Sequence, residues 1–221
     1  MPEGTTIAIF DLDRTITTKD TFIGFLTGFL WRHPWRCLRT IGLPIAFMQF
    51  ALGRKDNGWL KERFLNAFLG GVSRTSLNSW VDVYIKRVLA KGLRPGAVQA
   101  IGRHRAAGDH LVLATASLDF YVEAIGAELG FERVISTCAD WTPSRTLSGK
   151  FATANCYGAE KLRRVSEVYQ SKRGDRPVVA YSDHHADLPL LHWADQAFAV
   201  NPTPTLAAAA GEMTIVDWNR G

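Results

Sequence analysis

Cysteine is scarce in this sequence. The three cysteines, Cys37, Cys138 and Cys156, are odd in number and widely spaced, and no CxxC pair occurs. Small domains held together by disulfides carry more cysteines at closer spacing, so a disulfide framework is excluded. The pattern predicts a reducing compartment, and we expect a cytoplasmic protein.

Long uncharged runs are also few. Thr21–Trp31 and Thr40–Gly53 extend for 11 and 14 residues, whereas a helix that crosses a bilayer needs about 20. The segment Met1–Phe10 has neither a basic residue nor a long apolar core. The sequence therefore predicts no transmembrane span and no secretory signal peptide.

Charge of neither sign is in large excess. The chain has 26 Lys and Arg against 21 Asp and Glu, a net charge of +5, and 47% of its residues are hydrophobic. This composition is typical of a globular protein and excludes wholesale disorder. The small basic excess suits an anionic partner, but no recognised nucleic-acid-reading motif accompanies it. We expect no nucleic-acid partner.

Short apolar runs alternate with helical patterns along most of the chain. Strands that alternate with helices predict an α/β fold, a Rossmann-like parallel sheet covered on both faces, with ligands bound beyond the carboxyl ends of the strands. The predicted strands are Thr5–Phe10, His110–Ala114, Arg133–Thr137, Pro177–Tyr181, Gln196–Val200 and Met213–Val216.

The stretch from about Thr21 to Arg94 breaks this alternation and has the pattern of several helices. Within it, Trp31, Trp35 and Leu38 have the spacing of one helical face. We therefore expect an α/β core of residues 1–19 and 95–221, with an all-helical cap of residues 20–94 inserted after the first strand. Such a cap would lie over the carboxyl edge of the sheet as a lid.

A pair of carboxylates follows the first predicted strand directly. Asp11 and Asp13 stand two residues apart in the segment Asp11-Leu12-Asp13-Arg14-Thr15. Two close carboxylates repel each other, and a hard divalent cation is the natural group to hold them together. The alternative is an ordinary polar turn between a strand and a loop.

Three further polar features fall at element ends of the same predicted sheet. Thr115 and Ser117 follow the second strand, where a hydroxyl can bond a phosphate oxygen; for Ser117 the alternative is an N-cap of the next helix. Lys161 lies near a helix N-terminus, contrary to the dipole preference. Asp183 and Asp187 follow another strand four residues apart, and can complete an oxygen-rich metal site.

The order of these motifs resembles the haloacid dehalogenase-like phosphohydrolase superfamily. DxDxT, then Thr or Ser after a second strand, then Lys, then DxxxD, span Asp11 to Asp187. A helical insertion between the first two motifs is similar to the phosphoserine phosphatase-like subfamily. The segments FDLDRT, YSDHHADLPLL and AFAVNPTPTL also resemble phosphatidylglycerophosphatase C-like bacterial proteins.

The resemblance implies a role for each motif residue. Asp11 would be the nucleophile that forms an aspartyl-phosphate, and Asp13 the general acid and base. Thr115 would bind the phosphoryl oxygens and Lys161 would neutralise their charge. Mg²⁺ would be held by Asp11, the backbone carbonyl of Asp13 and Asp183. Supporting roles would fall to Thr15, which orders the loop, and to Asp187, which would orient Lys161 or support the metal.

Two positions depart from the common pattern of that family. Arg14 stands where glycine is usual, and could face substrate or simply solvent. Ser182-Asp183-His184 replaces the usual Gly-Asp-Ser or Gly-Asp-Asp. His184 with its neighbour His185 raises a less favoured alternative, a Zn²⁺ or Mn²⁺ site, because imidazole suits those metals. We otherwise expect His184 to tune Asp183 or to contact substrate.

The cap carries an uneven charge. No acidic residue occurs from Thr21 to Lys55, whereas Arg32, Arg36, Arg39, Arg54 and Lys55 are all basic. With the neighbouring tryptophans this pattern predicts peripheral contact with an anionic membrane at its inner face. Two alternatives stay open: an ordinary cap that packs its own core, and contacts from Arg32 and Arg36 to a soluble anionic substrate.

The main functional prediction is therefore a Mg²⁺-dependent phosphomonoesterase that acts on a lipid or amphiphilic phosphate such as phosphatidylglycerophosphate. A soluble small-molecule phosphatase of the phosphoserine type is the first alternative. A phosphotransferase that returns the phosphoryl group to substrate is another. The last is a non-catalytic interaction protein, against which the retained motif residues argue. The oligomeric state is not predicted.

Overall fold

A computed structural model describes residues 5–169 and 174–220, and a six-stranded parallel sheet lies at the centre of this part. The strands are β1 (Ile7–Phe10), β2 (His110–Leu118), β3 (Arg133–Thr137), β4 (Ala139–Trp141), β5 (Leu147–Phe151), β6 (Val178–Ser182), β7 (Gln196–Val200) and β8 (Thr214–Val216). The sheet order is β3-β2-β1-β6-β7-β8, and every pairing in it is parallel. The predicted α/β fold is confirmed, and each of the six predicted strands belongs to this sheet.

Helices cover the sheet and fill the interval between its first two strands in the chain. They are α1 (Thr21–Arg32), α2 (Leu43–Ala51), α3 (Asn57–Leu69), α4 (Arg74–Lys91), α5 (Pro95–Ala106), α6 (Asp119–Glu128), α7 (Ala159–Tyr169), α8 (Leu188–Trp193) and α9 (Pro204–Ala208). In the described part of the chain, no helix combines the length and the apolarity that crossing a membrane requires.

The central strand β1 is buried on both of its faces. Ile7 and Ile9 pack into a core beneath α7 and α8, whereas Ala8 and Phe10 pack into the opposite core, which continues into α1, α3 and α4. This arrangement follows from the alternation of side chains along a strand. It fixes β1 firmly, so that Asp11, the next residue, leaves the sheet at a defined place.

The cap helices share a continuous core with the rest of the molecule. Phe25 of α1 stacks on Tyr121 of α6 at 5.0 Å between ring centroids. Gly28 allows α1 to approach α4, because a Cβ at this position would lie only 2.5 Å from the Trp80 ring. The division into residues 1–19 with 95–221 and a cap of 20–94 stays a prediction, since one hydrophobic core runs through both parts.

The predicted stripe of Trp31, Trp35 and Leu38 on one helix face is wrong. Helix α1 ends at Arg32 because the backbone leaves helical geometry at His33, the residue before a proline, and a 3₁₀ turn, Pro34–Thr40, follows. The three side chains therefore belong to two elements. All of them are exposed rather than packed in a core.

The sequence prediction also missed a small antiparallel hairpin. Strands β4 and β5 pair with each other beside the main sheet, and β5 contacts α3 of the cap. Gly149 has a φ of 83° and lies against Asn66, where a Cβ would approach side-chain and backbone atoms to 2.6–2.7 Å. The hairpin thus braces α3, which carries cap residues of the cavity described below.

Candidate active site

The loop after β1 carries the first carboxylate of the site and a hydroxyl that ties two loops together. Asp11 is buried, and Thr15 Oγ1 lies 3.1 Å from Asp11 Oδ2 and 3.3 Å from Asp183 Oδ1. The same hydroxyl accepts a hydrogen bond from the backbone N–H of Asp183 at 3.0 Å. Since Asp183 directly follows β6, the neighbour of β1, Thr15 joins the carboxyl ends of two adjacent strands.

Lys161 provides the cation of this cluster. It lies in the first turn of α7, and its Nζ donates to Asp11 Oδ1 at 2.8 Å and to Asp187 Oδ2 at 2.7 Å. Burial opposes the charge of Lys161, but the two carboxylates outweigh this effect and raise its pKa. Ser182 donates a further hydrogen bond to Asp187 Oδ2 at 2.6 Å. Asp187 therefore holds the Lys161 ammonium group in place as well as lining the cavity.

The negative charge of the Asp11 and Asp183 carboxylates is not fully balanced by Lys161. Burial, only partly offset by Lys161, raises the pKa of Asp11 to about 7. Burial and the neighbouring Asp187 raise the pKa of Asp183 to about 6. A cation bound between Asp11 and Asp183 would favour their charged forms and so lower both pKa values.

The donor set fits a hard cation. Asp11 and Asp183 lie within hydrogen-bond reach of the same Thr15 hydroxyl, and all of the predicted donors are oxygen atoms, which Mg²⁺ prefers. Among residues 5–169 and 174–220, no three His, Cys, Asp or Glu side chains form a ready metal cluster. The predicted set differs from such a cluster because its third donor is the backbone carbonyl of Asp13.

Asp13 is held by hydrogen bonds to both of its oxygens. Oδ1 accepts from the backbone N–H of Thr21, the first residue of α1, and Oδ2 accepts from Ser117 Oγ at 2.6 Å. Ser117 also lies 3.2 Å from Thr21 Oγ1. The Asp13 carboxyl therefore has one fixed orientation at the border between the sheet and the cap.

The alternative that Ser117 caps the next helix is wrong, and its contact with phosphate stays a prediction. The structure shows no side-chain cap on α6, whose N-cap residue is Leu118, and Ser117 is fully buried behind Asp13 rather than lining the cavity. Thr115, by contrast, lines the cavity, and its Oγ1 accepts a hydrogen bond from the Ser117 N–H at 3.1 Å. The pairing register of β2 shifts between Ala114 and Leu118, so the strand is irregular where it carries these two hydroxyls.

The carboxylates open onto a cavity of about 230 Å³ between the sheet edge and the cap. Its lining is polar and carries both signs of charge. The lining residues are Asp11, Asp13, Arg14, Asp20, Asn57, Lys61, Thr115, Ala116, Tyr157, Lys161, Asp183, His184 and Asp187.

Five of these lining residues were missed by the sequence analysis: Asp20, Asn57, Lys61, Ala116 and Tyr157. Lys61 donates to the carbonyl of Ala116 at 3.2 Å, and burial lowers the pKa of its ammonium group. Asp20 is the N-cap of α1 and accepts from the Ile23 N–H at 2.8 Å. The i, i+4 spacing of Asn57 and Lys61 on one helix was the available signal, but nothing in the sequence indicated that this face meets the sheet edge.

The two departures from the family pattern both reach the cavity. Arg14 has a φ of 60°, the left-handed region that favours glycine, so its backbone keeps the conformation a glycine would adopt. His184 Nδ1 accepts a hydrogen bond from the Ala186 N–H at 3.1 Å, and burial lowers the pKa of its imidazole. One ring nitrogen is thus already occupied, and the pair His184 and His185 forms no transition-metal cluster within the described residues.

Arg32 and Arg36 lie outside the lining of this cavity, and their predicted contacts with substrate stay a prediction. The Arg32 guanidinium lies over the Trp80 ring at 4.5 Å. Arg36 donates through Nε to the carbonyl of Phe68 at 2.7 Å and through Nη2 to that of Gly70 at 2.6 Å. These contacts secure the end of α3, and neither arginine lines the catalytic cavity.

Comparisons with known proteins agree with this geometry. A family model described as haloacid dehalogenase-like hydrolase matches residues 8–192. Protein CicA of Caulobacter vibrioides is 29% identical over 191 residues, which cover 86% of this chain and 83% of that protein. Phosphoserine phosphatase SerB1 of Mycobacterium tuberculosis is 26% identical over 94% of this chain and 68% of its own. A crystal structure of a Bordetella pertussis Tohama I protein of unknown function superposes with a TM-score of 0.84 at 25% identity, covering 97% of this chain and 99% of that one.

Proposed function

This chain belongs to the haloacid dehalogenase-like hydrolase family, and from that premise we propose that it hydrolyses phosphomonoesters through a phosphoryl group carried on Asp11. Its assignment as a phosphatase follows from the family and from relatives that carry phosphatase names. One observation carries the mechanism: Asp11 is buried at the end of β1, with Lys161 on one oxygen and the second oxygen beside Thr15 and Asp183. The closer resemblance to phosphatidylglycerophosphatase C-like proteins stays a prediction.

In the first proposed step, an Asp11 oxygen attacks phosphorus and the bond from phosphorus to the leaving oxygen breaks. Asp13 gives its proton to that oxygen, so that a neutral alcohol leaves. In the second step, Asp13 takes a proton from a water molecule, whose oxygen attacks the same phosphorus. The bond to Asp11 breaks, inorganic phosphate is released, and both carboxyl groups return to their starting states.

The surrounding groups stabilise charge during both steps. Thr115, which lines the cavity, would bond the phosphoryl oxygens, and Lys161 lies beside Asp11, where negative charge would accumulate. We propose that Asp11, Asp183 and the carbonyl of Asp13 hold Mg²⁺. When bound, this ion would lower the repulsion between the carboxylate and an anionic phosphate.

The cavity also offers space and contacts for the leaving group. A volume of about 230 Å³ accommodates a phosphate with a small polar alcohol. Lys61 and Asp20 offer one charge of each sign to that alcohol. Such a group occurs both in free metabolites and in the headgroups of amphiphiles, so the shared chemistry is a phosphomonoester of a small polar alcohol.

A phosphate-release screen tests this function. The substrates are phosphoamino acids, sugar phosphates, nucleotides and phosphatidylglycerophosphate, each with and without detergent, so that turnover without detergent identifies a free substrate. Product analysis separates hydrolysis from transfer to a second alcohol.

The matched variants are Asp11→Asn and, as a control, Asp82→Asn at an exposed site on α4. We expect Asp11→Asn to lose at least about 1,000-fold in kcat with an unchanged circular dichroism spectrum, and Asp82→Asn to match the parent. Hydrolysis by Asp11→Asn at the parent rate would refute the assignment of the nucleophile.

A further inference from the structure

A cluster of large hydrophobic side chains is exposed on the outer side of the cap. We call it the apolar cap surface. Eight of the thirteen exposed large hydrophobic residues in the described part of the chain fall between Trp31 and Leu52. Scattered exposed hydrophobic residues are ordinary, whereas a contiguous group marks a contact surface. Its members are Trp31, Trp35, Leu38, Ile41, Ile45, Phe47, Met48 and Leu52.

The geometry of α2 explains why this surface faces outward. Ile41, Ile45, Met48 and Leu52 recur at intervals of four, three and four residues, which places them on one side of the helical path. They are between 55% and 73% exposed, whereas Ala46 on another side is buried. A surface helix normally shows the reverse pattern, with its polar side outward, so the cap's own core does not account for this stripe.

The segment that carries the apolar cap surface has basic side chains and no acidic ones. No acidic residue occurs between Thr21 and Lys55. Among the described residues, none of the five basic side chains of that segment pairs with a carboxylate. Arg36 and Arg39 donate instead to the neutral carbonyl of Gly70, which anchors the segment but leaves its charge uncompensated.

We propose that the apolar cap surface docks on the interface of an anionic phospholipid bilayer. Its aliphatic side chains would enter the boundary between headgroups and acyl chains, and Trp31 and Trp35 would lie at headgroup level. The neighbouring cations, including Arg54 and Lys55, would face anionic headgroups. A second copy of the chain is a poorer occupant, because two such surfaces would bring like charges together.

The docking surface is separate from the catalytic cavity. Helix α3 lies between them: Asn57 and Lys61 line the cavity, whereas Trp59 and Arg63 line a groove shared with α2. Docking would hold the enzyme at a membrane. It would not carry substrate from the docking surface across α3 to the cavity. The proposal therefore goes beyond the proposed hydrolysis and does not rest on it.

Sedimentation with vesicles tests the proposal on the full chain. The probes are vesicles of phosphatidylcholine alone and of phosphatidylcholine with phosphatidylglycerol. We expect binding to the anionic vesicles only, with lower affinity at high salt. The double variant Ile45→Ser with Met48→Ser should weaken this binding by at least about 10-fold. The control Val83→Ser with Val98→Ser, which changes exposed hydrophobic residues of α4 and α5, should leave it unchanged.

A charge variant makes the test independent of α2 packing. Arg54→Gln with Lys55→Gln should weaken anionic-vesicle binding by roughly 10- to 30-fold. Lys86→Gln with Lys91→Gln removes the same charge from α4 and should not weaken it. All variants should retain the parent's circular dichroism spectrum and its turnover of a water-soluble phosphomonoester, if the parent has any.

Three outcomes would overturn docking on a bilayer. The first is that the parent does not bind anionic vesicles. The second is that the control variants weaken binding as much as the test variants do. The third is a concentration-dependent dimer, lost in the Ile45→Ser and Met48→Ser variant, without vesicle binding, which would assign the surface to self-association. A parent that binds vesicles but hydrolyses nothing would refute the proposed function and leave this proposal intact.

Discussion

Removing the Ser117 hydroxyl should impair the proposed general acid without touching substrate. Ser117 donates to Asp13 Oδ2 at 2.6 Å, and Thr21 of α1 lies within hydrogen-bond distance of both side chains. A hydrogen bond to a charged group contributes about 1.5–3 kcal/mol. If that energy orients Asp13 in the transition state, Ser117→Ala should lower kcat roughly 10- to 100-fold, at about 1.4 kcal/mol for each tenfold. Ser117 is in this sense a positioning residue.

The dependence on the leaving group distinguishes this role from general damage. An alkyl phosphate needs a proton on its leaving oxygen, whereas p-nitrophenol leaves readily without one. The assay compares the first-turnover release of p-nitrophenol with that of an alkyl alcohol. Ser117→Ala should slow the alkyl release by the full factor and the p-nitrophenol release by only a few-fold.

Three comparisons complete this test. Ser117→Thr keeps a hydroxyl and should restore much of the alkyl rate, and Ser136→Ala changes a serine of the neighbouring strand β3 outside the cavity. Thermal denaturation shows whether Ser117→Ala remains folded at the assay temperature, since loss of one buried hydrogen bond costs about 1–2 kcal/mol. Equal slowing of both first-turnover rates, or a parental alkyl rate in folded Ser117→Ala, would refute the reasoning.

Three other predictions follow from the same site. EDTA should abolish turnover and Mg²⁺ should restore it. The Mg²⁺ affinity measured by calorimetry should fall as the pH is lowered from 8 to 5, because protons compete with the cation at the raised pKa values of Asp11 (about 7) and Asp183 (about 6). An affinity independent of pH would contradict the assigned ligands. Lys161→Met should lower the free energy of unfolding of the metal-free protein by about 3–5 kcal/mol at pH 8. The decrease should be smaller at pH 5, where Asp11 is protonated in the folded state. Denaturant midpoints at the two pH values measure the decrease, and equal values would contradict the prediction. Lys61→Met should raise KM at least several-fold for substrates with an anionic alcohol while leaving kcat for p-nitrophenyl phosphate within about twofold, and an unchanged KM would remove Lys61 from the substrate site.

The order of the motifs made the centre of the site predictable. Asp11 and Asp183 each follow a buried strand and Thr115 lies in the second half of β2, and parallel strands bring their carboxyl ends to one edge. Lys161 was identified as an anomaly because a cation at a helix N-terminus opposes the dipole. The structure resolves that anomaly, since Asp11 and Asp187 surround its ammonium group.

The cap was harder to predict because its residues meet the site only through tertiary packing. The spacing of Arg32 and Arg36 indicated a basic face but not its direction, and these side chains secure Trp80 and the end of α3 instead. The spacing of Lys61 from Asn57 placed both residues on one helix face but did not indicate that this face lines the cavity. The cytoplasmic location stays a prediction from the sequence.

The sequence by itself determined the parallel sheet and the carboxylates at its edge, because strand burial and strand ends are local properties of the chain. Only the tertiary structure decided that Ser117 fixes Asp13, that Lys61 lines the cavity, and that hydrophobic side chains of α2 are exposed. Each of these depends on which side of a helix or strand meets another element. A pattern along the chain defines such a side but does not specify its neighbour.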